Sequence, residues 1–230
     1  MPERFVIPAP ATPAVPVAGT DARFPVHRIY CVGRNYAEHA KEMGHAVDRE
    51  VPTFFMKPAD AAWTQAEVPY PPGTANLHHE VELVVALHAG GRDLDAARAL
   101  DCVFGYAIGL DLTRRDLQAA AKAKGNPWDT AKGFDASAPI GAIVPAATLG
   151  HPRTGELALA VNGIERQRAD IATMVFAVPE ILAALSRLFE LAPGDLVFTG
   201  TPAGVGPLLP GDAFEARFPG LPPLRGAIAR

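Results

Sequence analysis

LHHEVELVVALHAGG, residues 77–91, carries the strongest strand signal in the chain. Its second half, VVAL, is apolar on both faces of a pleat, the pattern of a strand inside a sheet that is covered on both sides. Gly90 and Gly91 close it. Its first half is different, because Glu80 and Glu82 interrupt the apolar run. In an extended strand residues i and i+2 project to one face, about 6.6–7 Å apart along the chain. Val81, Leu83 and Val85 take the opposite face, and no cation stands in the segment to neutralise the two acids. A buried carboxylate is costly unless it is paired or coordinated. The stretch therefore predicts an inner strand whose leading end presents two converging acids.

Working outward, the chain reads as β-rich with a few short helices. HRIYCVG (27–33), TFFMK (53–57), CVFGYAIGLD (102–111) and DLVFTG (195–200) are strand-like. ELALAVNGIERQRAD (156–170) is a hairpin whose Asn162-Gly163 suits a type I′ turn. RNYAEHAKEMG (34–44) predicts a short helix closed by Gly44, and a second short helix falls at roughly 94–100. A third spans about 113–124, opened by Thr113 and Asp116 in the manner of a capping box. PEILAALSRLFEL (179–191) is amphipathic, with Pro179 at its start and Pro193-Gly194 beyond its end. Residues 1–25 are Pro-rich and without helical periodicity, so they are expected to form an extended arm. No repeat or composition break divides residues 26–230, which are read as one α+β domain.

Composition narrows the function. The chain has 230 residues, 49% of them hydrophobic and 20% charged, the profile of a soluble globular protein. Lys plus Arg number 21 against 25 Asp plus Glu, so the basic excess of a nucleic-acid surface is absent. Pro (23) and Gly (21) exceed the usual combined share of roughly 12%, which favours turns and short elements over long bundles. Cys31 and Cys102 both lie in apolar runs and read as core thiols of a reduced, cytoplasmic protein. Pro8, Pro10, Pro13 and Pro16 break up any leader-like helix, and no apolar stretch approaches the ~18 residues of a membrane span.

Asp111 ends the strand FGYAIGL, where a side chain is shown at the rim as the chain turns into a helix. Alone it is an ordinary helix-initiating Asp, just as an isolated E-x-E is ordinarily an exposed strand face. Together, Glu80, Glu82 and Asp111 make an all-oxygen set for Mg2+ or Mn2+ in preference to Zn2+. His78 and His79 adjoin the set, but no second His stands at a zinc-motif spacing. His39 and Glu42 are i and i+3 on one helix face, where the carboxylate orients the imidazole and raises its pKa, making a base for water. Arg34, Arg115 and Lys132 are cations beside these segments that can neutralise an anionic substrate. TGTPAGVG (199–206) lacks the Gly-Lys-Ser/Thr ending of a P-loop. It is either a plain turn or a loop whose backbone amides approach a ligand carboxylate.

The segments GRNYAEH, LHHEVEL, GYAIGLDLTRRDLQ, PWDTAKGFD, VNGIERQ and FTGTPAGVG, in this order, resemble the fumarylacetoacetate hydrolase family over about residues 27–225. The nearest branch is the short acylpyruvate hydrolases. The resemblance implies a mixed β-sandwich roll, usually dimeric, with Glu80, Glu82 and Asp111 as Mg2+ ligands. It implies His39 and Glu42 as the water-activating dyad, Lys132 as the active-site lysine, and Gln118, Arg34 and Thr201 as contacts for substrate oxygens. Leu110 and Gly133 depart from the wider family, where Asn and Ser are frequent at these places. The activity implied is Mg2+-dependent hydrolysis of the C–C bond of a dianionic 2,4-dioxo acid, fumarylpyruvate first, in gentisate-type aromatic degradation. Oxaloacetate decarboxylation, tautomerisation or a 2-hydroxymuconate-type isomerisation are the competing activities. A non-catalytic metal- or ligand-binding domain is the competing class.

Overall fold

The computed structural model of the chain describes residues 4–42, 49 and 51–230. A six-stranded mixed sheet lies at its centre, in the order Val144–Pro145, Val103–Leu110, Val81–Leu87, Leu196–Phe198, Ile29–Gly33 and Thr53–Lys57. Neighbours run antiparallel except Leu196–Phe198 beside Ile29–Gly33. Val81–Leu87 is third in this order and every residue in it is buried. The alternation along it is strict. Val81, Leu83, Val85 and Leu87 join one core with Tyr106, Ile108, Leu157, Leu159 and Phe214. Val84 and Ala86 join another, with Ala107, Phe198, Cys31, Val15 and Phe24.

Two different layers cover the two faces. One is a five-stranded sheet, ordered Ile164–Asp170, Glu156–Val161, Ala213–Arg217, Leu224–Ile228, Glu67–Val68. Its first two strands form the expected hairpin, and Asn162 and Gly163 take φ of 52° and 76°, as a type I′ turn requires. The second layer was not legible in the sequence. Residues 14–25 are not extended as an arm: Ala14–Pro16 pairs antiparallel with Arg23–Pro25 and buries Val15 and Phe24 against the sheet. Residues 4–12 are exposed.

Three further expectations change. The helix read at 94–100 is replaced by turns and a 3₁₀ segment at Ala99–Cys102, because the Asp95 side chain takes the Ala97 N–H and competes with helical bonding. The third helix runs Arg115–Lys124 and has no capping box. Thr113 instead pairs with His78 in a short ladder, and Asp116 accepts from Thr74 Oγ1 (2.6 Å) and the Ala75 N–H (3.1 Å). The first helix spans Ala37–Glu42, and its expected closure at Gly44 lies outside the described residues. The amphipathic helix is present at Val178–Leu188. Both cysteines are buried and free. Among the described residues no helix is long and apolar enough to cross a membrane.

Register and parity together bring the acids into one place. Glu80 and Glu82 share the parity of Val84 and Ala86, and Asp111 shares that of Ala107, so all three project to the same face of the sheet. Glu82 pairs with Gly109, and the Asp111 N–H bonds Glu80 O at 2.8 Å, which sets Asp111 across from Glu80. Gly109 has to be small here, since a Cβ would meet Phe198 Cε1 at 2.6 Å and Val84 Cγ2 at 2.8 Å.

Candidate active site

Glu80, Glu82 and Asp111 each offer an oxygen within 4.8 Å of the others, and all three are buried. Three cations touch this cluster. Lys132 Nζ bridges Glu80 Oε2 (2.7 Å) and Asp111 Oδ2 (2.6 Å). Arg115 Nη2 donates to Glu80 Oε1 at 2.5 Å. Lys57 Nζ, fully buried, lies 2.8 Å from Asp111 Oδ1 but directs its hydrogen bonds to the carbonyls of Leu112 and Lys132. Asp111 Oδ1 is thereby buried without an aligned hydrogen bond.

The two glutamates titrate in opposite directions. Burial alone would raise the Glu80 carboxyl, but Lys132, Arg115 and His39 outweigh it and hold Glu80 well below the usual carboxylate range. Glu82 has no such cation in contact. Burial, then the charges of Asp111 and Glu80, push it well above that range, and the more distant Lys132 charge and the Gly200 N–H at 2.7 Å offset only part of this. A buried all-oxygen set with one under-bonded oxygen and one carboxylate short of positive charge fits a hard divalent cation. The three carboxylates form a divalent-metal site.

His39 stands at the wall of the same cavity, with Nδ1 3.3 Å from Glu42 Oε2. Its pKa moves opposite to the sequence expectation. Burial lowers it from 6.5 by more than Glu80 and Glu42 raise it, so the ring is neutral at pH 7. The Gly200–Gly204 loop also departs from expectation, because its amides reach the protein's own carboxylates. Gly200 N–H donates to Glu82, and Gly204 N–H donates to both oxygens of Glu42 at 3.2 and 3.1 Å. Gly200 (φ 97°) is forced by this turn, as a Cβ would stand 2.6 Å from Asn35 Cβ.

Of the ten residues singled out from sequence, Arg34, His39, Glu80, Glu82, Asp111, Arg115, Gln118, Lys132 and Thr201 line this one cavity. The tenth, Glu42, reaches it through His39. Arg34 holds its place with φ 61°, a left-handed conformation uncommon for any residue other than glycine. Arg115 divides its donors among Glu80, Gln118 Oε1 (2.7 Å) and His78 Nδ1 (3.3 Å), so it positions as well as neutralises.

Residues 28–229 match the family described as Fumarylacetoacetate (FAA) hydrolase C-terminal. The chain belongs to this family. Its β-rich mixed sheets and few short helices are the fumarylacetoacetate hydrolase fold. The crystal structure of fumarylpyruvate hydrolase from Pseudomonas aeruginosa in complex with Mn2+ and pyruvate superposes with a TM-score of 0.96 at 47% identity, covering 98% of this chain and 99% of that one. Oxaloacetate tautomerase FAHD1 of Mus musculus is 44% identical over 203 residues, covering 88% of this chain and 91% of the relative. The mitochondrial oxaloacetate decarboxylase of Dictyostelium discoideum is 41% identical over 196 residues, covering 84% and 89%. The family is that of metal-dependent enzymes to which the sequence motifs pointed, and the relatives divide between hydrolysis and oxaloacetate chemistry.

Sequence reasoning missed Lys57, whose signal was a lone cation ending the apolar strand TFFMK. It missed Gln167 too. This side chain is 1% exposed and all its capacity is used. Its Oε1 accepts from the Val81 N–H (3.0 Å) and faces His79 Nδ1 (2.9 Å), while Nε2 donates to Thr201 Oγ1 and Pro202 O, both at 2.8 Å. Gln167 thus ties the strand carrying the acids to the loop carrying Thr201. Replacing Gln167 by Leu leaves several buried groups unpaired and is expected to cost about 1–3 kcal/mol, read as a lower midpoint in chemical denaturation. An unchanged midpoint would sink this account of the network.

Proposed function

We propose that the chain hydrolyses an acylpyruvate, fumarylpyruvate first, to a carboxylic acid and pyruvate, with Mg2+ (or Mn2+) held by Glu80, Glu82 and Asp111. The observation that carries this reading is His39: buried, neutral at pH 7, at the cavity wall, with Glu42 on its Nδ1. Isomerisation of an oxo acid needs no activated water, and hydrolysis does. The bound cation supplies Lewis-acid polarisation of the oxo acid's oxygens. His39, held by Glu42, takes a proton from water as the water oxygen bonds to the C4 carbonyl carbon. The Gln118 amide, its carbonyl oxygen already committed to Arg115, and the Lys132 ammonium donate toward the oxygen that gains charge. The C3–C4 bond then breaks, its electron pair passes into the pyruvate enolate, and the proton from His39 returns to C3. Arg34 and Thr201 hold substrate oxygens at the cavity wall, Thr201 through its backbone N–H, since its hydroxyl already donates to Val81 O at 2.9 Å.

Charge supports a dianionic substrate. In their ordinary ionised forms, Glu80, Glu82 and Asp111 are balanced by Lys57, Lys132 and Arg115, so a divalent cation leaves a surplus that two carboxylates neutralise. Oxaloacetate meets the same charge condition, and the likeness to the Mus musculus tautomerase favours it as the second reading. On the family likeness, residues 26–230 are taken as one catalytic domain of a homodimer. The two free buried thiols support a reducing, cytoplasmic setting.

The test is a parallel assay on fumarylpyruvate and oxaloacetate with Mg2+, each repeated with EDTA. Metal-dependent release of pyruvate, at least tenfold faster from fumarylpyruvate, is the expected result. Activity on oxaloacetate, read as pyruvate release for decarboxylation or as the ultraviolet change of enol–keto interconversion for tautomerisation, with no cleavage of the dioxo acid, would move the function to the second reading.

A further inference from the structure

One wall of the cavity is built from residues that neither the metal site nor the dyad uses: Phe55, Lys122 and Trp128. The helix Arg115–Lys124 supplies a ruler along that wall. Arg115, Gln118 and Lys122 stand at i, i+3 and i+7, on one helix face, and all three line the cavity. Arg115 marks the metal end, since it touches Glu80. At 1.5 Å per residue, Lys122 lies about 6 Å beyond Gln118 and about 10 Å beyond Arg115. The cavity therefore has an inner end at the carboxylates and an outer end at a lysine.

The outer end is short of negative charge. Arg115 and Lys132 are paired with Glu80 and Asp111, whereas Lys122 has no carboxylate partner among the described residues. Its Nζ rests 5.1 Å from the centroid of the Trp128 ring, and the charges around it are the cations Arg115, Arg34 and Lys132 against Glu80, whose carboxylate is itself held by Arg115 and Lys132. Trp128 in turn meets Phe55, their ring centroids 6.0 Å apart and their planes tilted by 58°, so the two rings form one wall. An aromatic wall ending at a cation that no described carboxylate pairs with suits an apolar chain that terminates in an anion.

We propose that Lys122 is a specificity-determining residue that binds a second carboxylate at the far end of the acyl chain, with Phe55 and Trp128 lining one side of the chain itself. This deepens the acylpyruvate reading and rests on it for the pyruvyl end. It selects among acylpyruvates for those whose acyl group is planar, unsaturated and carboxylate-terminated. A chain of seven carbons separates its two carboxyl carbons by about 7.5 Å when extended, against about half that for a four-carbon oxo diacid. Only the longer one engages Lys122 while its oxo acid end sits at Glu80, Glu82 and Asp111.

The experiment measures binding apart from turnover. In Mn2+-loaded His39→Ala protein, calorimetry gives Kd for fumarylpyruvate and for acetylpyruvate, which lacks the distal carboxylate, with and without Lys122→Met. The ratio of the two Kd values is expected to shift against fumarylpyruvate by about 10- to 100-fold in Lys122→Met, and to be largely restored in Lys122→Arg. An unshifted ratio overturns the proposal. Cleavage by the unsubstituted chain is followed alongside. Failure to cleave with the ratio shifted sinks the hydrolase reading and keeps Lys122, whereas cleavage with an unshifted ratio sinks Lys122 alone. Absence of fumarylpyruvate binding sinks both.

Discussion

A Glu82→Gln variant is expected to lose metal-dependent turnover and to bind Mn2+ at least about 100-fold more weakly. The substitution keeps the side chain's shape and an acceptor for the Gly200 N–H, which lies 2.7 Å from Glu82 Oε2. What it removes is a negative charge. Before metal binds, that charge is a liability, because burial and the neighbouring Asp111 and Glu80 push the Glu82 carboxyl upward. The metal-free variant should therefore melt no lower than the unsubstituted chain, while the rise in Tm on adding Mn2+ shrinks or vanishes. The opposite pattern, a lower metal-free Tm with the Mn2+ increment intact, would mean that Glu82 is a structural acid and not a ligand. Thermal melts with and without Mn2+ and a calorimetric titration decide between the two.

The same residue shows why much of this site is legible in the sequence. Glu80 and Glu82 are separated by one apolar residue in a run that is otherwise buried on both faces, so local periodicity alone puts them together and makes their charge anomalous. Asp111 is different. It joins them only because Val81 pairs with Leu110, a register between two strands that no short pattern reports. The family motifs supplied that step. Lys57 and Gln167 lay beyond both routes, since each is delivered by a separate strand and its role depends on a long-range partner: Asp111 for Lys57, and Thr201 and Val81 for Gln167. The hairpin of residues 14–25 was hidden for another reason. Its prolines suggested an exposed extended segment, yet Pro16 and Pro25 stand at the ends of short paired strands where the ladder tolerates them.

The direction of the His39 pKa also needed three dimensions. From the sequence only Glu42 was visible, and a carboxylate raises an imidazole's pKa. The structure adds burial of the ring and the Arg115 charge, both of which lower it, and burial is the largest influence. The net effect suits a base better than the sequence expectation did, because a neutral imidazole at pH 7 is ready to accept a proton.

Replacing His39 by Ala is expected to cut hydrolysis of the acylpyruvate by roughly 10²–10⁴ while leaving Mn2+ affinity within a factor of two or so, if the ring is the general base. The pH profile makes this more specific. Protonated His39 cannot act as a base, so kcat/KM should fall as pH drops through the ring's pKa, which lies below 6.5. Glu42 raises that pKa through its hydrogen bond and its charge. Glu42→Gln therefore lowers it further, and the acid limb of the profile should move to lower pH even as the maximal rate declines. In His39→Ala the limb should disappear altogether. A limb that stays in place in Glu42→Gln would mean that the titrating group is not His39, and the carboxylate would then serve only to hold the helix against the Gly204 amide. Because Glu42 binds both His39 and that amide, the pH shift, unlike a loss of rate, separates its electrostatic role from its structural one.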